Sequence, residues 1–294
     1  MKNIAFIVNP ISGTKTKGRV AKLIRELLDP RQYAPTIVMT EYAGHATQLA
    51  QHFALEGYYA VVAIGGDGTV NEVASGLVGT NTALGIIPNG SGNGFARHLD
   101  ISTRMNRAIE MLNHSEAIHV DYGMVNEKCF FSTCGMGFDA LVAVHFNKGK
   151  TRGITGYVQN IVNNIFQYTP EPYHIQGEGL DMTKNALLVN FANANQWGYD
   201  AYVAPKASVQ DGWLDLVIVD AFPVKAAAEL TINYLSKFID EEGFQMDTIR
   251  VKEVKLTRMT AGPIHIDGDP IEMPAELNIK IVEDGLKVLV KKRF

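Results

Sequence analysis

Cysteine is scarce in this chain of 294 residues, which carries only Cys129 and Cys134. That excludes a disulfide framework or a paired-cysteine zinc site and leaves two reduced thiols as the plain reading. No apolar run reaches the length that crosses a bilayer. Met1 to Pro10 lacks the charged, apolar and small-residue succession of a secretion signal, so a cytoplasmic location is expected. Nor is there an excess of one charge: a formal net charge of −4 gives no general attraction to nucleic acid or anionic lipid. Contact with a membrane would have to come from a local apolar or basic patch. The eight histidines include no pair at zinc-ligand spacing with a suitable third residue. Internal repeats and low-complexity segments are absent.

What is present is a well-cored globular composition, 46% hydrophobic and 20% charged, over a length that suits two ordinary domains. Short β-prone runs at Ile4 to Val8, Thr36 to Met39, Ala60 to Ile64, Leu84 to Ile87 and Ala117 to Val120 alternate with helical spacings. Those helices place Val20, Leu23, Ile24, Leu27 and Leu28, then Ala46, Leu49, Ala50, Phe53 and Ala54, then Val70, Val73, Ala74 and Leu77, and last Met105, Ala108, Ile109 and Leu112 on single faces. Strands alternating with helices, some strands apolar throughout, predict a mainly parallel sheet covered on both faces, with ligands beyond the carboxyl ends of its strands.

After about Asp121 the texture changes. Runs at Cys129 to Thr133, Ala186 to Phe191, Leu214 to Val219, Ile249 to Leu256 and Glu276 to Val282, with helices around Ile154 to Phe166 and Val224 to Phe238, predict a domain dominated by antiparallel strands. The division is an α/β domain over 1–122 and a β-rich domain over 123–285. A last run, Lys287 to Val290, can belong to either domain.

Chemistry concentrates at the strand ends. Gly65-Gly66-Asp67-Gly68-Thr69 lies between an apolar strand and an amphipathic helix, where a sharp turn can aim backbone N–H groups at an anion. A plain turn with one glycine and a cap would need less. Pro88-Asn89-Gly90-Ser91-Gly92-Asn93-Gly94 follows the next strand, Asn9-Pro10-Ile11-Ser12-Gly13 the first, with Lys15, Lys17 and Arg19 behind it, and Thr40 with Gly44-His45-Ala46 the second. Each loop alone is weak evidence; together they point to a nucleotide. None is a Walker A loop or a dinucleotide fingerprint.

The set resembles the diacylglycerol kinase catalytic family, which includes bacterial lipid kinases, sphingosine kinases and ceramide kinases. The shared motifs are Asn-Pro-x-Ser-Gly, Gly-Gly-Asp-Gly-Thr and Gly-Ser-Gly-Asn, and the resemblance covers nearly the whole chain. It implies ATP lying across Asn9, Pro10, Ser12, Gly13, Thr40, Gly65, Gly66, Asp67, Gly68, Thr69, Ser91, Gly92 and Asn93, with Asp67 near the metal and phosphates and Glu72 close by. It also implies a nucleotide-binding amino-terminal α/β domain to which a final segment, 286–294, returns, a carboxyl-terminal β-sandwich for the lipid substrate, and magnesium-ATP as phosphoryl donor to a lipid hydroxyl at a membrane surface. Nucleic acid is not an expected partner, and the oligomeric state stays open, a homodimer being admissible.

Two further matches follow. Asp211-Gly212-Trp213-Leu214-Asp215 resembles Asp-Gly-x-Leu-Asp, where relatives hold a structural magnesium through the first aspartate and nearby carbonyls. Here those would be Asp211 with the carbonyls of Trp213 and Ser208; a turn before a strand explains Asp-Gly equally well. Ile266-Asp267-Gly268-Asp269 resembles Asp-Gly-Glu, whose aspartate is proposed to take the acceptor's proton, so Asp267 joins Asp67 as a catalytic candidate beside the alternative of a β-turn. Gly135-Met136-Gly137-Phe138-Asp139 resembles a segment near the lipid acceptor site. Asp139 is accordingly either a substrate contact or a helix cap. Gly94 stands where many bacterial members carry an acid, and Asp269 where a glutamate is usual. NAD kinase, which shares Gly-Gly-Asp-Gly-Thr, is the competing enzyme. A binding regulator without turnover is the competing class.

Overall fold

The computed structural model describes residues 1–12, 17–148, 168–220 and 246–292. Gly13, Lys15 and the helices expected around Ile154 to Phe166 and Val224 to Phe238 lie outside the described residues. By chain contacts the protein divides into two compact units, Met1–Asp121 with Glu283–Phe294, and Tyr122–Val282. Among the described residues no helix is long and apolar enough to cross a membrane.

The first unit runs β1 (Lys2–Val8), α1 (Lys17–Leu27), β2 (Tyr33–Met39), α2 (His45–Leu55), β3 (Ala60–Gly65), α3 (Asp67–Leu77), β4 (Ala83–Pro88), α4 (Gly94–His98), α5 (Met105–Leu112) and the start of β5 (Ser115–Val125). Residues Ile4 to Val8 and Ala60 to Ile64 have no exposed surface. That burial on both faces is why these runs are apolar throughout instead of alternating. The parallel order is β2-β1-β3-β4. Pro35 falls in β2, at the edge of the sheet, where its missing N–H breaks no inner ladder. Leaving β1 the chain steps outward to β2, then returns past β1 to β3. With right-handed crossovers, that reversal puts α1 on one face and α2 and α3 on the other. Accordingly α1 packs with α5, and α2 with α3. The reversal falls between β1 and β3, and open α/β sheets bind their ligands at such a switch point.

The second unit continues from the end of β5 through β6 (Lys128–Phe130), β7 (Thr133–Gly137), α6 (Phe138–Lys148), β8 (Glu171–Gly177), β9 (Leu180–Ala192), β10 (Gln196–Gly198), β11 (Ala201–Tyr202) and β12 (Leu214–Asp220). Then come β13 (Met246–Val251), β14 (Glu253–Arg258), β15 (Gly262–Ile266), β16 (Asp269–Met273) and β17 (Glu276–Lys291). Here the pairing is antiparallel, in the order β16-β15-β7-β9-β8-β14-β17, with β12 on β9 and β13 on β12. A core of Phe130, Tyr173, Phe191, Leu216, Leu256, Ile264 and Ile279 fills one side of this β-sandwich. Phe138, Val142, Leu187, Val217 and Val219 form a second cluster. Alternate residues of β12 feed the two clusters, so that strand too is apolar on both faces.

The run Lys287 to Val290 is not a separate strand but the end of β17, which begins at Glu276. Val288 pairs in parallel with Leu84 of β4 and extends the first unit's sheet.

Candidate functional site

At the switch point the loops after β1, β3 and β4 are bonded into one body. The Asn9 Nδ2 donates to Thr69 Oγ1 at 3.0 Å, and its Oδ1 accepts the Ile11 N–H at 3.0 Å. Ser12 Oγ donates to the Asn9 carbonyl at 2.9 Å, while Asn89 Nδ2 donates to the Ser12 carbonyl at 2.9 Å. Asp67 makes the decisive link. Its Oδ2 accepts from the Asn93 N–H at 2.8 Å and its Oδ1 from the Gly94 N–H at 2.9 Å. Thus the acid of one glycine loop holds the first residues of α4, whose amides would otherwise lack partners. Asn93, with φ of 54°, closes its own loop: its Oδ1 accepts from Gly90 N and its Nδ2 donates to the Gly90 carbonyl.

The glycines have an internal reason as well as a phosphate-facing one. A Cβ on Gly90 would lie 2.5 Å from the Gly66 Cα, and one on Gly65 would lie 2.3 Å from Thr69 Oγ1. Backbone therefore packs on backbone between the two loops, which leaves Gly66, Asp67 and Gly68 half-buried and Ser91 exposed. A rigid, glycine-surfaced rim with α3 starting at Asp67 presents backbone N–H groups in the way anion sites require.

Not every expected residue faces this rim. Glu72 caps the neighbouring helix: its carboxylate oxygens accept from the Gly44 N–H at 2.9 Å and the Ala46 N–H at 3.2 Å, at the start of α2. Thr40 is placed by its amide on the Val8 carbonyl, at the outer strand. Arg97, which its sequence position did not single out, donates from Nε to the Gly92 carbonyl at 3.1 Å and brings a cation to the fourth loop. An arginine on the short helix following a glycine loop was the available signal.

In the second unit Asp267 and Gly268 form the two-residue loop between β15 and β16, with φ of 50° and 88°. Two positive φ values in succession are the geometry of a type I′ hairpin. The β-turn reading thus holds, and the side chain has a second role. Its carboxylate accepts from Ser132 N at 2.7 Å, Phe131 N at 3.0 Å and Thr133 N at 3.1 Å. Three consecutive amides form a nest around the anionic form and fix the orientation of its oxygens. The loop 131–132 is where the predicted run Cys129 to Thr133 breaks into β6 and β7. Beneath it, burial and then the charges of Asp267 and Asp139 push the Cys134 thiol far above its ordinary range, so it stays protonated.

Asp139 lies within the first turn of α6, 6% exposed, and is not a cap. Its Oδ2 accepts from His265 Nε2 at 2.7 Å, Asn190 Nδ2 at 2.8 Å and Trp197 Nε1 at 3.2 Å. His265, 1% exposed, receives the Gly268 N–H on Nδ1 at 3.3 Å, which in the neutral ring assigns the proton to Nε2. Burial alone would lower its pKa, but the Asp139 charge and hydrogen bond, with Asp267 and Asp269, carry it above the ordinary value. The group rests on Gly135, whose added Cβ would lie 2.2 Å from Asp139 Oδ2. Sequence reading passed over His265, since a lone histidine on an apolar strand reads as core.

Asp211 accepts the Trp213 N–H on Oδ1 at 3.2 Å and pairs through Oδ2 with the Arg250 guanidinium. Among the described residues no group of three or more His, Cys, Asp or Glu side chains could hold a metal ion. The magnesium expected on Asp211 with the Trp213 and Ser208 carbonyls would have to share the Asp211 carboxylate with that guanidinium.

Comparison with known proteins finds two family models in succession along the chain. The diacylglycerol kinase catalytic domain matches residues 3–125, and the YegS C-terminal NAD kinase beta sandwich-like domain matches residues 132–290. "Probable lipid kinase YegS" of Salmonella typhimurium is 31% identical over 242 residues, covering 79% of this chain and 78% of that one. "Probable lipid kinase YegS-like" of Chromohalobacter salexigens is 29% identical over 238 residues, covering 79% and 76%. Among solved structures, a diacylglycerol kinase from Bacillus anthracis superposes with a TM-score of 0.74 over 98% of this chain and 97% of that one. At 21% identity, that likeness speaks to the fold.

Proposed function

The chain belongs to the diacylglycerol kinase catalytic domain family of lipid kinases, and from that premise we propose that it transfers the γ-phosphoryl group of magnesium-ATP to the hydroxyl of a diacylglycerol, a sphingoid base or a related lipid. The observation that carries the reading is the Asp67 clasp, which joins the third and fourth strand-end loops into one glycine-surfaced rim.

Phosphoryl transfer asks little covalent chemistry of a protein; it asks for positioned phosphates, neutralised charge and an oriented nucleophile. The α3 amino terminus, beside the glycine rim, receives the phosphates, and magnesium bound with the nucleotide would supply charge neutralisation there. Asp67 keeps the two loops at fixed separation. Arg97 adds a cation beside Gly92. Asp267 takes the proton of the acceptor hydroxyl, and its amide nest keeps the accepting oxygens from rotating away. Asp139, engaged by three donors, is better suited to holding His265 than to binding a substrate hydroxyl. The lipid is met at the membrane surface, by peripheral contact.

ADP release from magnesium-ATP, measured over a panel of lipid acceptors in mixed micelles and over NAD, tests the proposal. Turnover on one lipid class supports it. Turnover on NAD alone would replace it with an NAD kinase, and nucleotide binding without ADP release on any acceptor would replace it with a regulator.

A further inference from the structure

The turn before β12 places two carboxylates four residues apart, Asp211 and Asp215, around Gly212 at φ of 70°. Asp215 is 9% exposed on a strand whose other residues, Asp220 at its end apart, are apolar. Burial raises its pKa, Asp211 raises it further, and Arg250 opposes both. Two acids in such a place require a cation nearby, and a divalent ion is one solution.

This chain contains another. Antiparallel pairing of β12 with β13 sets Arg250 directly opposite Asp215, and side chains opposite one another across a ladder share one face. The same guanidinium reaches the Oδ2 of Asp211. It also lies over the Trp213 ring at 5.4 Å, with Lys252 over that ring at 5.1 Å. The Trp213 amide in turn donates to the other oxygen of Asp211. Magnesium needs near-octahedral oxygen ligands at roughly 2.0–2.1 Å, and a guanidinium on the same carboxylate competes for that shell with like charge.

We propose that Arg250 is a tethered cation that takes the place of a structural divalent ion in the Asp211-to-Asp215 turn, so that the second unit folds and holds its β12–β13 edge without a metal. The replacement rests on this chain's register, which sets a positive side chain opposite Asp215, and on an aromatic ring in the turn to seat it. It does not depend on which acceptor the protein phosphorylates.

The test is thermal unfolding of the full chain without nucleotide, in chelator and in millimolar magnesium chloride, for wild type, Arg250→Ala, Arg250→Lys and the double variant Asp211→Asn with Arg250→Ala. Wild type should melt at the same temperature in both buffers. Arg250→Ala should melt lower in chelator by roughly 2–4 °C, the shift of about a kilocalorie in a chain of this size, and magnesium should return part of the loss. Arg250→Lys, which keeps a point charge, should lose less. The double variant should recover in chelator, because the acid left unpaired has been neutralised. A wild-type midpoint that drops on chelation overturns the proposal. So does an Arg250→Ala loss that neither magnesium nor Asp211→Asn relieves, because the residue would then act by packing alone.

Discussion

Asp67 Oδ1 accepts the Gly94 N–H at 2.9 Å, and that single bond ties the acid of the third loop to the first residue of the helix after the fourth. With the partner bond from Asn93, it makes a carboxylate that looks like a metal ligand in sequence into a clasp between loops. Replacing Asp67 with Ala should therefore separate the loops before it affects any chemistry. Two lost charge-assisted bonds at a half-buried site predict a loss of about 2 kcal/mol in urea unfolding, with a fall in nucleotide affinity by calorimetry. A variant that keeps wild-type stability would show that the clasp holds nothing.

Glycine content can be separated from glycine placement. In Gly90→Ala the new methyl group would meet the Gly66 Cα at 2.5 Å and Asn93 Oδ1 at 3.0 Å, so one loop must move. Nucleotide affinity should drop by at least tenfold, while far-ultraviolet circular dichroism stays that of the wild type. Gly18→Ala is the control. Gly18 lies in α1 with nothing within 4 Å of an added Cβ, and alanine there should stabilise by about 0.5–1 kcal/mol.

Removing the charge of Asp267 leaves the hairpin intact, because an asparagine Oδ1 can still accept from the nest. Asp267→Asn should lower kcat by roughly 10²–10⁴-fold, the usual contribution of a general base, with nucleotide affinity nearly unchanged. A kcat equal to that of wild type rejects Asp267 as the base.

His265 gives a pH dependence whose sign can be worked out. Its folded pKa lies above the ordinary 6.5 because of Asp139, with Asp267 and Asp269 also facing it. Protonation is thus favoured by folding. The stabilisation is complete below 6.5 and is lost as pH rises through the folded value. The difference in unfolding free energy between wild type and His265→Gln should therefore shrink from acid toward alkaline pH. A difference that grows with pH contradicts the pairing.

Gly135→Ala probes the same cluster from below. Its methyl group would press on Asp139 Oδ2 at 2.2 Å, His265 Nε2 at 2.3 Å and Asn190 Nδ2 at 2.7 Å. Displacing a buried polar network is among the costlier kinds of substitution, so a loss above 2 kcal/mol is expected in urea unfolding. If the protein tolerates alanine there, the three groups are not held as tightly as their distances state.

Local patterns were readable where the chemistry is local. The strands at Ile4 to Val8 and Ala60 to Ile64 are apolar because both their faces are covered, and the helix at Val70 to Leu77 follows its own spacing. Long-range partners were not readable. The run Cys129 to Thr133 looks like one strand, yet amides 131 to 133 turn toward a carboxylate more than a hundred residues later in the sequence, on Asp267. Likewise Ile249 to Leu256 looks continuous but is divided at Lys252 between β13 and β14. Gly285 disguised one strand as two. Glu72 keeps the company of a glycine motif in sequence, while in space it serves the amides of Gly44 and Ala46. Arg250 reads as an ordinary charge on a strand until the register sets it against Asp215.

The pairing of Val288 with Leu84 has a consequence for the order of synthesis. Strand β4 takes its second neighbour from a segment made after the whole second unit has been translated. During elongation the first sheet must wait with an open, fully apolar border, the kind of edge that recruits other chains. Nascent chains arrested before Gly285 should accordingly bind holdase chaperones more persistently than chains released at full length. Equal retention in ribosome-nascent-chain pulldowns would mean that β4 is shielded by some other segment until then.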